Sequence, residues 1–96
     1  MTYPTFKFPL PNLDISKAYL FGSSIEKNGN DFDVLFISDD FEGVSRIKRA
    51  EKIKLNFPSI NIDPVCVSEK EFTRLTNQNS HFLTEILKSA ILIYER

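Results

Sequence analysis

Apolar and polar positions change period several times along this chain, and each change marks an element boundary. Phe6, Phe8 and Leu10 alternate, while Pro4, Pro9 and Pro11 lack amide donors and discourage helix. Residues 1–14 therefore read as an extended lead-in with one side packed down. Lys17-Ala18-Tyr19-Leu20-Phe21 is a short apolar strand stopped by Gly22. Asn28-Gly29-Asn30 is turn chemistry, and residues 31–38, rich in Phe, Val and Ile, form a second strand. Val44, Ile47, Ala50 and Ile53 recur every third residue and Phe57 follows, which predicts a helix over 43–57 with Pro58 just past its end. Residues 60–67 read as a third strand, and Pro64 within it points to a sheet edge. Ser68-Glu69-Lys70-Glu71 has the capping-box pattern and opens a helix to about Leu75. Ser80 caps another over Phe82, Ile86 and Leu87, and residues 91–94 close as a last strand. The order predicts an α/β (α+β) architecture: a small mixed sheet of three to five strands with helices packed on one face.

Composition narrows the class. Ninety-six residues are expected to form a single domain, because so short a chain cannot divide its apolar content between two cores. Nine Phe residues and no Trp make Phe the main source of core volume. The net charge of −1 gives no bulk field favouring nucleic acid or an anionic membrane, and no apolar run approaches the ~20 residues of a membrane span. One Cys, Cys66, excludes an intramolecular disulfide. Met1-Thr2-Tyr3-Pro4 lacks the features of a signal peptide, so a cytoplasmic location is expected.

The chemistry is concentrated between Phe21 and Phe36. Asp31 and Asp33 stand two apart on a strand, so they share a face at about 6.6 Å spacing. Two carboxylates that close repel unless a cation lies between them, and oxygen-only ligands favour Mg²⁺ or Mn²⁺ over zinc. Asp63 interrupts an apolar strand, where an unpaired carboxylate is costly; sharing the metal site resolves that cost. Three carboxylates on two neighbouring strands can hold two ions about 3.5–4 Å apart, the arrangement that clamps an in-line displacement at phosphorus. Asp63 is then also placed to deprotonate an acceptor hydroxyl. Upstream, Gly22 lets backbone approach a ligand, while Ser23 and Ser24 offer hydroxyls and amides to anions. A phosphate-binding loop just before a metal-binding strand is a triphosphate site.

Gly22-Ser23, a short spacer, Asp31-Phe32-Asp33 on a strand and Asp63 on a later strand resemble the polymerase-β nucleotidyltransferase superfamily. The chain is most similar to the minimal nucleotidyltransferases of prokaryotes, and the likeness runs from Lys17 to Glu95. It implies transfer of a nucleoside monophosphate, AMP from ATP, to a hydroxyl acceptor with release of pyrophosphate. It also implies Gly22 and Ser23 as the triphosphate loop, Asp31 and Asp33 as the metal pair, and Asp63 as the third carboxylate. An antitoxin-type role is a further implication, with a HEPN-type toxin as partner and a Tyr hydroxyl as acceptor. Two features depart from the pattern: the spacer before Asp31 is short, and the Pro-rich lead-in stands where a helix normally precedes the first strand.

Other residues have plainer readings. Asp39 and Asp40 are turn or cap residues. Arg46, Lys48, Arg49, Lys52 and Lys54 lie among Glu42 and Glu51, as on a solvated helix face. His81 is a surface helix residue, and Cys66 a small core residue. The alternative to an enzyme is a binding module that keeps the fold and neutralises a partner by contact alone.

Overall fold

Strand pairing follows the alternation of side chains in a computed structural model that describes residues 6–22 and 31–96. β1 (Lys17–Phe21) pairs antiparallel with both β2 (Asp31–Ile37) and β4 (Ile91–Glu95), and β2 pairs parallel with β3 (Asn61–Val67). The result is a mixed four-stranded sheet in the order β3-β2-β1-β4. β3 is an edge strand, as Pro64 predicts, because a residue without an N–H is tolerated where no neighbour needs the donor.

One face carries Ala18, Leu20, Val34, Phe36 and Ile62. Helix α1 (Arg46–Asn56) and the lead-in cover it. The lead-in replaces a helix with aromatic volume: Phe8 stacks on Tyr94 with ring centroids 4.4 Å apart, and Phe6 meets Phe57 edge-on at 5.6 Å. Leu10, Leu13 and Ile15 are buried beside them. The other face carries Leu35, Ile37, Val65 and Val67, against which Phe72 and Leu75 of α2 (Glu69–Asn77) and Leu83 and Ile86 of α3 (His81–Leu87) pack. The expected mixed sheet is present, but the helices lie on both faces rather than one. The parallel β2–β3 connection sends α1 across one face, and the apolar stripes of α2 and α3 can then be buried only on the other.

Caps fix the helix boundaries. Ser45 accepts a hydrogen bond from Lys48 N–H at 3.3 Å, so α1 begins three residues later than its period suggests, after Gly43 turns the chain at φ +74°. The capping box of α2 forms in full: Glu71 N–H donates to Ser68 Oγ at 3.1 Å, and Ser68 N–H donates to Glu71 Oε1 at 2.9 Å. Ser80 caps α3. Asp39–Phe41 is a 3-10 turn capped by Ser38, and Asp40 Oδ2 accepts from Asp14 N–H at 2.8 Å. The acidic pair thus serves the turn and ties down the lead-in. His81 opens α3, and Cys66 is half-buried on β3. No described helix is long and apolar enough to cross a membrane.

Candidate functional site

The strands that carry the predicted acids are neighbours, and their register sets the geometry. Asp33 pairs with Asp63 and Asp31 with Asn61 across the parallel β2–β3 ladder. Adjacent strands lie about 4.8 Å apart, so Asp33 and Asp63 leave the same sheet face side by side. That face is the one covered by α2 and α3, which pack on Leu35, Ile37, Val65 and Val67, and Phe21 beside Asp33 joins the same cluster. The carboxylates occupy the next step along the strands, where Asp33 is half-buried and Asp63 exposed.

β1 closes the other side. Phe21 lies opposite Asp33, and Gly22 follows with φ +68°. A Cβ at Gly22 would stand 2.8 Å from Asp33 Oδ2. Only glycine combines that left-handed conformation with that close approach at no steric cost. The sequence assigns Gly22 to ligand approach; the structure adds that a carboxylate oxygen already uses part of the missing side chain's space.

Of the predicted site residues, Gly22, Asp33 and Asp63 are brought together. The backbone of Asp31 sits two positions before Asp33 on β2, while its side chain, and all of Ser23 and Ser24, lie outside the described residues. Among the described residues no group of three or more His, Cys, Asp or Glu forms a metal cluster.

One residue placed by sequence on the solvated basic face belongs elsewhere. Arg49 is 6% exposed. Its Nη1 and Nη2 donate to Glu71 Oε1 and Oε2 at 2.7 and 3.0 Å. Nη1 also donates to the Cys66 carbonyl at 3.0 Å, and Nε to the Val44 carbonyl at 2.7 Å. This bidentate pair bridges α1 and α2 around the free edge of β3. The Arg49 guanidinium and the Ser68 amide hold the Glu71 carboxyl down to about 2, against the opposing effect of desolvation. Glu71, chiefly through its hydrogen bond, raises the Arg49 pKa in turn. A signal was present in the sequence: Arg49, Ile53 and Phe57 are four apart and lie on one helix face. Because Arg is counted as polar, a hydrophobic-period reading selects Ile47 instead, and Ile47 is 74% exposed.

The sequence matches no protein-family profile and no curated protein. Among solved structures, that of a candidate nucleotidyltransferase from Sulfolobus solfataricus aligns over 91% of this chain and 68% of its own, at a TM-score of 0.56 and 22% identity. This chain has the nucleotidyltransferase fold. At that identity the likeness is one of fold, and the chemistry has to be argued from the site itself. Within the nucleotidyltransferase fold, Gly22, Asp33 and Asp63 share one end of the sheet, one step beyond Leu35 and Val65.

Proposed function

We propose that the chain is a metal-dependent nucleotidyltransferase that moves AMP from ATP to a hydroxyl acceptor. The observation that carries this reading is the in-register pairing of Asp33 with Asp63, with Gly22 packed against the Asp33 carboxylate. Carboxylates side by side and part-exposed to solvent form an oxygen donor set that suits Mg²⁺ or Mn²⁺. Asp31, Asp33 and Asp63 would hold the metal. When bound, it would supply Lewis-acid polarisation of phosphoryl oxygens.

The chain's own residues have separate tasks. Gly22, Ser23 and Ser24 present backbone amides and hydroxyls to the triphosphate. Asp63, exposed on the edge strand, accepts the proton of the acceptor hydroxyl. The acceptor oxygen then bonds to the α-phosphorus while the bond from that phosphorus to the α–β bridging oxygen breaks. Pyrophosphate leaves with the electron pair. The acceptor in this reading is a Tyr hydroxyl on a HEPN-type toxin, which gives the protein an antitoxin-type role.

Metal binding can be tested without the acceptor. Mg²⁺ or Mn²⁺ with ATP should raise the melting temperature by mass action on the folded state, and Asp33→Asn should abolish the rise. An Asp33→Asn protein that responds to metal and ATP as the parent does would remove Asp33 from the site.

A further inference from the structure

Beyond β3, on the side of the sheet edge away from Gly22, lies a cleft of about 470 Å³. It wraps the free edge of the strand, taking Pro64 and Cys66 from one face and Val65 and Val67 from the other. α1 walls it on one side, and α2 with the start of α3 on the other. Its volume falls within the about 300–1,000 Å³ typical of small-molecule sites.

The charge of the lining is one-sided. Arg46, Arg49 and Arg74 contribute three guanidinium groups against the single carboxylate of Glu71. Arg49 and Glu71 neutralise each other through their bidentate pair. Arg46 and Arg74, one on each wall, remain as excess positive charge. Cys66 adds no anion, because burial pushes its thiol up to about 12. Guanidinium groups bind phosphate oxygens in a planar, forked geometry that few other side chains match. Beside them the lining turns apolar: Val65, Leu75 and the ring of Phe82, which is 55% exposed. An exposed aromatic at the rim of a cationic cleft offers a surface on which a flat group can stack.

We propose that this cleft binds a phosphate carried on a flat apolar body, with Arg46 and Arg74 on the phosphate and Phe82 against the ring. The binding claim stands on the cleft alone. The cleft runs from Pro64 to Val67 along the outer edge of β3, on the side of the sheet away from Gly22, so it is a second site, separate from the proposed triphosphate site.

Phenyl phosphate is a suitable probe, followed by amide chemical shifts on the ¹⁵N-labelled full chain in EDTA. Shifts should appear at residues 65–67, 74–75 and 80–82, with affinity at least tenfold above that of phenol or inorganic phosphate. The Arg46→Ala/Arg74→Ala double variant should bind at least tenfold more weakly. Lys48→Ala/Lys52→Ala, which removes the same charge from α1 outside the cleft, should bind as the parent does. Binding unchanged in the double arginine variant, shifts confined to Gly22, Asp33 and Asp63, or no shifts at millimolar probe would each overturn the proposal. Metal is absent from this assay, so Asp33→Asn should also bind the probe normally. Loss of transferase activity elsewhere therefore leaves this result untouched, and the two readings fail separately.

Discussion

A methyl group on Gly22 would sit 2.8 Å from Asp33 Oδ2, at a backbone φ of +68°. Gly22→Ala should therefore destabilise the protein by about 1–2 kcal/mol for the left-handed conformation, and the Asp33 carboxylate must move to make room. Urea denaturation reads the first effect. The second appears as a smaller metal-induced rise in melting temperature. A Gly22→Ala protein as stable and as metal-responsive as the parent would show that the close approach is unimportant. At this scale the sequence says a great deal, because residue type alone identifies candidates: a glycine ending a strand, two acids two apart, and one acid in an apolar run. It does not say that Asp33 faces Asp63 directly. Register is a property of the assembled sheet, and a slip by one residue sends every side chain to the opposite face.

Among the helices, α1 is where sequence and structure part. A three-residue hydrophobic spacing puts Ile47 inward; the structure puts Arg49, Ile53 and Phe57 there and leaves Ile47 74% and Leu55 76% exposed. The reason is the Arg49–Glu71 pair, which rewards turning a charged residue toward the sheet edge once a capping-box carboxylate is waiting on α2. Neither residue announces this alone, since their separation of 22 residues is closed only by folding. The rotation of α1 is testable by contrast. Ile53→Ala should cost about 2–5 kcal/mol as a core truncation, whereas Ile47→Lys should stay within about 0.5 kcal/mol. Comparable losses in denaturant melts would mean the helix is turned differently.

The same pair gives stability a pH dependence. Glu71 has its folded pKa depressed from 4.5 to about 2. Its contribution is therefore fully present above about 4.5 and is lost as pH falls through about 2. Glu71→Gln should be less stable at neutral pH, because it strands a buried guanidinium, and its stability should change less than the parent's across that acid window. Chemical denaturation at a series of pH values measures both. Parallel pH profiles for parent and variant would contradict the assignment.

Over the whole molecule, the division of labour between the two sheet faces governs what the fold can do. One face is covered by α1 and an aromatic lead-in. The other is filled by α2 and α3 over Leu35, Ile37, Val65 and Val67, with the Asp33–Asp63 step at the end next to Gly22. β3 is the edge strand, and the cleft between Arg46 and Arg74 lies along its outer side. Element types and order were readable from periodicity and caps. The two-sided packing was not, because a short amphipathic helix does not encode which face of a sheet it will cover. In the proposed reaction that arrangement would give Asp63 a role separable from nucleotide binding. It stands on the edge strand, while Asp33 and Gly22 lie inward toward β1.

The most direct test is therefore Asp63→Asn, assayed for transfer of labelled AMP to a co-expressed partner and, in parallel, for ATP affinity. Loss of a proton acceptor typically costs ~10²–10⁴ in rate, and here a charge beside the metal is lost as well. Transfer should fall by at least that factor, while ATP affinity stays within about tenfold of the parent, because in the proposed site Asp31, Asp33 and the Gly22 loop would still hold the nucleotide. A parent protein that transfers no label, paired with an Asp63→Asn variant that still neutralises the partner in full, would contradict the account and leave a nucleotidyltransferase fold acting by contact alone.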